Sequence, residues 1–191
     1  MAIKGTIGQT VSVEATLSYN TTLIDKRNPA AVAGVIKTVD VYVNGSVPNT
    51  TKLKFFRVNG SNYDVVYTQT ITGLTMPAVN TITLITPFKV QIGDLIGWWT
   101  GISGSGGVTG YASGAGTGYH YQTGDITTST AIASWTGGSQ TLYIVANIMS
   151  IPAGGFGFGN PWMFLKDAWE KHDKLWKPKG LILPKDLGFS Y

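Results

Sequence analysis

Cysteine is absent from this chain. Disulfide staples and thiolate metal sites go with it, but the compartment is not fixed, because cytosolically assembled particles and extracellular modules both do without cysteine. Charge is scarce as well. Only 13% of the 191 residues are Asp, Glu, Lys or Arg, against about a quarter in ordinary soluble domains. The net charge of +4 is spread thinly, with eight of the fourteen basic and six of the ten acidic side chains in 1–160. No basic cluster stands out, so binding of nucleic acid through phosphate neutralisation is not expected. Long apolar runs are missing: nothing approaches the ~18 residues of a membrane span. The N-terminal stretch Met1-Ala2-Ile3-Lys4-Gly5-Thr6 lacks the apolar core of a signal peptide. If it works outside a cell, such a protein is expected to leave by lysis or on a particle, not by the general secretory route. The Asn-x-Ser/Thr sequons at Asn20, Asn44, Asn49 and Asn59 therefore carry no expectation of glycosylation.

What is present is glycine, 25 residues of it, together with frequent threonine and serine. That mixture suits short strands joined by turns. In Pro87–Trp99, Val90 and Ile92 share one face of an extended chain, as do Leu95, Gly97 and Trp99. Gly93-Asp94 supplies a turn between them, so the stretch reads as a buried hairpin at the centre of a β-sandwich. Val35, Val39, Val41 and Val43 point one way, interrupted by Lys37, and Asn44-Gly45 follows as a turn signal. Leu53, Phe55 and Arg57 alternate with Lys54, Phe56 and Val58 before the turn Asn59-Gly60-Ser61-Asn62. Further strands are expected at 11–16, 63–71, 80–87, 131–135 and 141–149, with a short one around 119–122 inside a glycine-rich excursion, 101–124. About nine strands at roughly ten-residue spacing predict an all-β, antiparallel β-sandwich of jelly-roll type.

Past a glycine-rich linker the pattern changes. The expected organisation is a sandwich over 1–153, a linker over 154–160, and a helix with an extended tail over 161–191. Asn160 is a good N-cap and Pro161 suits the first helical position. Trp162, Leu165, Trp169, His172 and Trp176 recur on one helical face, and Leu181-Ile182-Leu183 continues as an apolar tail. A piece this short does not fold alone, so its indole stripe needs a cover. Three covers are open: its own sandwich, a neighbouring subunit or particle, or a membrane surface, the last disfavoured by a nearly balanced polar face.

Four stretches occur in a telling order: Thr22-Leu23-Ile24-Asp25-Lys26-Arg27-Asn28-Pro29-Ala30, Gly34-Val35-Ile36-Lys37-Thr38-Val39, Val90-Gln91-Ile92-Gly93-Asp94-Leu95-Ile96-Gly97, and Gly114-Ala115-Gly116 through Tyr119-His120-Tyr121 to Gly124-Asp125. Over about residues 20–148 the chain resembles a β-sandwich module common in phage and environmental viral proteins. The resemblance implies a jelly-roll-like, carbohydrate-binding-module-like domain displayed on a virion or another exterior surface. It brings no catalytic residues, and 161–191 lies outside it.

Candidate chemistry is sparse. Tyr-His-Tyr at 119–121 reads either as a strand with alternating faces or as a sugar-stacking platform, to which Trp98 and Tyr111 would add. Trp98 and Trp99, being adjacent, point to opposite faces. One His120 is no metal site, and no cofactor is expected. Asp94 and Asp125 follow glycines and read as turn caps; paired carboxylates of a glycosidase, a nucleophile elbow and a phosphate loop are not legible. The chain is therefore read as a non-enzymatic viral structural protein. Its expected partners are other virion proteins or copies of itself, held through Trp162, Leu165, Trp169, His172, Trp176, Leu181, Ile182 and Leu183. The alternative is a glycan-binding module using Trp98, Tyr111, Tyr119, His120 and Tyr121.

Overall fold

The computed structural model describes residues 2–10, 15–16, 20–43, 51–101, 110–112, 118–139 and 141–151, and for 15–16 and 110–112 the backbone alone. The turn expected at Asn44-Gly45, the linker and the helix and tail of 161–191 lie outside the described residues. The fold below is that of the unit ending at Ser150. Its strands are β1 (Ile3–Gln9), β2 (Ala15–Thr16), β3 (Thr21–Asp25), β4 (Gly34–Val43), β5 (Thr51–Asn59), β6 (Asn62–Ile71), β7 (Ala78–Val90), β8 (Leu95–Thr100), β9 (Gly110–Ala112), β10 (Tyr119–Thr123), β11 (Thr130–Ala131), β12 (Thr136–Gly138), β13 (Thr141–Leu142) and β14 (Ile144–Met149). They form a four-stranded sheet β1-β14-β4-β7, a seven-stranded sheet β11-β6-β5-β8-β3-β10-β12 and a small sheet β13-β9-β2. Every pairing is antiparallel. Over the described residues the fold is all-β and sandwich-like, and the helical content there is one 3-10 turn, Ile132–Ser134.

The main core lies between the two large sheets. Ile7, Ile36, Val39, Val41, Val43, Ile82, Leu84, Phe88, Ile144, Ala146 and Ile148 come from the four-stranded side; Leu23, Leu53, Phe55, Ile71, Ile96, Trp98 and Tyr119 from the seven-stranded side. Strand periodicity dictates this: successive side chains alternate faces, so an apolar residue at every second position makes one dry surface. β14 follows the rule without a break. β4 does not. Its register against β7 shifts between Ile36 and Thr38, with Ile36 opposite Phe88 and Thr38 opposite Thr83. The bulge at Lys37 lets Ile36 and Val39, three apart, both face the core. The expected row led by Val35 is thus corrected to one led by Ile36; Val35 is buried but stands outside the main cluster.

The stretch expected to be a central hairpin is a crossing between sheets. β7 ends the four-stranded sheet, whereas β8 lies between β5 and β3 in the seven-stranded one. Gly93 takes φ +87, a conformation glycine reaches without steric cost. Asp94 then caps the turn as expected. Its Oδ2 accepts from the Gln91 amide at 2.8 Å, and its amide donates to the Gln91 carbonyl at 3.1 Å. The carboxylate, fully buried, also takes a two-pronged ion pair from Arg57 of β5, with Nε–Oδ1 at 2.7 Å and a terminal nitrogen to Oδ2 at 2.8 Å. The neighbouring loop joins in: Ala30 N donates to Asp94 O at 2.9 Å and Gly93 N to Ala30 O at 2.8 Å. Close approach explains Gly97, where a Cβ would meet the Leu23 carbonyl at 2.3 Å and the Phe56 ring at 2.6 Å.

β5 and β6 form the expected hairpin around Gly60-Ser61, and the short strand at 119–122 is β10. The strand expected at 131–135 is replaced by the end of β11 and the 3-10 turn, and β12 begins only at Thr136. β1 pairs with β14 from Ile3↔Met149 to Gln9↔Ile144. Ser150 N donates to Ala2 O at 2.8 Å, so the chain enters and leaves the sandwich side by side.

Replacing Arg57 leaves the Asp94 carboxylate buried without a cation. Arg57→Met is expected to cost about 3 kcal/mol in urea unfolding. Adding Asp94→Asn, which removes the charge and keeps an acceptor for Gln91, is expected to recover much of that loss. A neutral Arg57→Met would show that the crossing does not depend on the pair.

Candidate functional site

The seven-stranded sheet is apolar on its outer face as well, away from the main core. Ile24 of β3, Phe56 of β5, Tyr63 of β6 and Leu95 of β8 make a second buried cluster with Trp135, against which Val65, Ile126 and Ile132 pack. The cover is the segment that follows β10. Trp135 stands edge-on to Phe56 and Tyr63, with ring centres 6.0 and 5.6 Å apart. Such edge-to-face pairs add to the burial itself.

Charged groups enter this covered face at two places. In the first, Asp125 meets two lysines of β5. Lys54 is fully buried, with Nζ 2.7 Å from Asp125 Oδ1 and a further bond to the Ile126 carbonyl. Lys52 donates to Asp125 Oδ2 and lies over the Trp99 ring, 5.2 Å from its centre. Thr22 of β3 pins the same segment, its hydroxyl donating to Gly124 O at 2.6 Å and accepting from Ile126 N at 3.1 Å. Burial pushes the Lys54 ammonium below its usual range, against the pull of Asp125. For Asp125, burial works upward, but the bonds and charges of Lys52 and Lys54 outweigh it and hold the carboxyl below the usual value.

In the second place, His120 of β10 lies between Lys26 and Tyr63. Lys26 Nζ is 3.0 Å from Nε2, and Tyr63 Oη is 2.9 Å from Nδ1. Burial, then the Lys26 charge, lowers the imidazole pKa below 6.5. An ammonium only donates, so Nε2 accepts, and the ring proton sits on Nδ1 and is given to Tyr63. Burial raises the Tyr63 phenol, which keeps its proton. The result is a one-way donor chain, Lys26 to His120 to Tyr63. It ties the Lys26 end of β3 and β10 to β6; no nucleophile or carboxylate adjoins it in the bonds described. Among the described residues no group of three His, Cys, Asp or Glu side chains is placed to hold a metal ion.

The candidate aromatic platform does not assemble. Trp98 is fully buried, opposite Leu23 and Leu53, with no ring face for a sugar. Tyr119 is buried in the same core. Both are corrected from binding candidates to core residues, because the pleat turns them inward. Tyr121 shares that inner face, its ring 5.7 Å from Tyr119, and is half-buried. His120 points the opposite way, as alternation requires. Tyr111 lies in β9, and its side chain is outside the described residues, as are Trp162, Leu165, Trp169, His172, Trp176, Leu181, Ile182 and Leu183. Trp99 is the second-face tryptophan, covered by its own chain. Sequence reading passed over Lys26, Lys52, Lys54, Tyr63 and Trp135. One signal was available: Lys54 sits in the apolar run Leu53–Phe56, where a charge on a strand's second face implies a partner. Asp125 read as a turn cap, but its carboxylate serves the two lysines instead.

Asp125→Ala strands a buried ammonium and is expected to cost about 3 kcal/mol; Lys54→Met, apolar and of similar length, is expected to cost clearly less, and equal losses would refute the pairing. The pH dependence has a definite sign. With the folded His120 pKa below 6.5, the unfolded chain binds more protons in that window, so stability rises with pH through it and is lost on acidification. His120→Gln is expected to flatten this part of a chemical-denaturation pH series, and an unchanged slope between pH about 5.5 and 7 would overturn the assignment.

Comparison with family models, with curated proteins and with solved structures found no match to this chain.

Proposed function

We propose that the chain is a non-catalytic structural component of a viral particle, of phage type. In this reading a jelly-roll-type sandwich is displayed on the exterior, and 161–191 attaches it to neighbouring subunits. The observation that carries the reading is the closure of the sandwich on itself. Both faces of the seven-stranded sheet are covered by the chain's own residues, so the domain needs no partner to complete its core. Its first and last strands pair, and Ala2 and Ser150 are hydrogen-bonded. A module whose ends leave from one corner suits tethering at one end and display at the other. The indole stripe Trp162, Trp169 and Trp176 supplies the apolar area that attachment requires.

The carbohydrate reading is weaker by comparison, since two of its five residues, Trp98 and Tyr119, are core. The attachment reading is tested on the full chain by replacing Trp162, Trp169 and Trp176 together with alanine. Wild-type protein is expected to sediment as an assembly and the triple variant as a monomer with an unchanged sandwich melting transition. A wild-type monomer, or an assembly indifferent to the three substitutions, would overturn it.

A further inference from the structure

We infer that the outer edge of β7 is a docking site for an extended, uncharged peptide segment of a partner protein, which adds to the four-stranded sheet as a fifth strand. β7 ends its sheet, and no strand pairs with its far side among the described residues. The adjacent cleft, about 330 Å³, is bounded on one wall by Thr81 and Thr83 of β7 and on the other by Thr70 and Thr72, with Ile71 and Ile82 among its lining residues. No charged side chain lines it. β6, which forms the opposite wall, pairs with β11 only at Asn62 and Tyr63, so the cleft runs between two strand edges.

One amide is already bound there. The carboxamide of Gln69, a buried side chain, donates to Thr83 O at 3.0 Å and accepts from Ile85 N at 2.9 Å. A primary amide is the chemical equivalent of a peptide group, and these are the two bonds that an added strand would make at this point. Tyr67 holds the carboxamide from behind, its hydroxyl donating to Oε1 at 2.6 Å. Since backbone groups of a strand point to alternate sides, Thr83 facing the edge means that Thr81 and Val79 face it too. Among the described residues no side-chain amide takes that part at those positions.

The side chains agree with this. Val79, Thr81, Thr83 and Ile85 form an unbroken β-branched row, with Val79 46% and Ile85 82% exposed. Cross-strand pairs of β-branched residues stabilise a sheet. Natural edges are usually guarded by lysine or another inward charge, but from Ala78 to Phe88 there is none. A charged ligand would find no counter-ion in the cleft. A neutral extended chain would find donors and acceptors at regular strand spacing. The site stands whether or not the chain belongs to a particle.

The test uses isotopically labelled full-length protein and a capped peptide of the sequence Val-Asn-Thr-Ile-Thr-Leu-Ile. Saturating peptide is expected to slow hydrogen exchange at the Val79, Thr81 and Thr83 amides. Gln69→Ala releases Thr83 O and Ile85 N to the ligand and is expected to tighten binding about fivefold per bond gained. Thr81→Pro removes the central donor on the side away from β4, where proline is tolerated, and is expected to abolish binding; should it fail to fold, the Gln69→Ala result decides. Absence of protection, or affinity unchanged or weakened in Gln69→Ala, would overturn the inference. So would protection that appears without peptide and grows with protein concentration, which would make a second copy the occupant. Protection produced by neutral oligosaccharides and not by the peptide would overturn it in favour of a glycan cleft.

Discussion

A sheet that is apolar on both faces has to be covered twice, and the architecture follows from that constraint. β5, β8 and β3 bury Leu53, Phe55, Ile96, Trp98 and Leu23 against the four-stranded sheet, and Phe56, Leu95 and Ile24 on the reverse. Antiparallel sheets often leave one face to water. Here that is not an option, because apolar area on the second face costs roughly 25 cal/mol per Å² if left wet. The segment from Gly124 to Trp135 gives up regular structure to lie across it. Its irregularity, a 3-10 turn between two very short strands, is the shape of a cover, whose carbonyls and amides are met by Thr22, Lys54 and Ser61.

Two sets of charges tie irregular segments to β5: Arg57 holds the crossing at Asp94, and Lys52 with Lys54 holds the cover at Asp125. Ion pairs of this kind contribute little net stability over well-packed apolar side chains, because desolvation offsets the attraction. What they fix is register. A one-residue slip of β5 would turn Lys54 into the main core and Leu53 and Phe55 out of it. The two faces of β5 are both dry, so hydrophobicity alone distinguishes them poorly. A buried ammonium that finds a carboxylate on only one side distinguishes them sharply.

How much of this was legible depended on the range of the interaction. Period-two patterns gave β14, β10, the β5–β6 hairpin and the sandwich class, since alternation is local. The Gly93-Asp94 turn was legible too, but not its sheet: a tight turn between apolar runs looks the same whether the runs pair with each other or part to opposite layers. The bulge at Lys37 showed as an interruption in a valine row, and its consequence, the swap of Ile36 for Val35, needed the partner strand. Trp98 and Tyr119 illustrate the converse. An aromatic residue near a glycine-rich loop suggests a ligand platform, yet the pleat alone sends each of them inward. Lys54 and Asp125 are 71 positions apart, and nothing in either neighbourhood names the other.

With both faces of the larger sheet closed, unused bonding capacity is left at the edges. Edges differ in how they are blunted. At the far end of the seven-stranded sheet β12 is three residues long, too short to template a partner. β1 carries Lys4 among its exposed positions, a usual guard against pairing. β7 is thirteen residues long and uncharged over most of that length. Among the described residues its blunting devices are Pro87, towards one end, and the Gln69 carboxamide, at mid-strand, which leaves the first half from Ala78 to Ile82 without one. A guard made of a side-chain amide differs from a guard made of charge. A lysine repels every approaching strand, whereas an amide is exchanged for another amide at almost no cost in hydrogen bonds. At Thr83 and Ile85 the edge is thereby kept satisfied while empty and remains competent to pair, a combination that a charged guard does not provide.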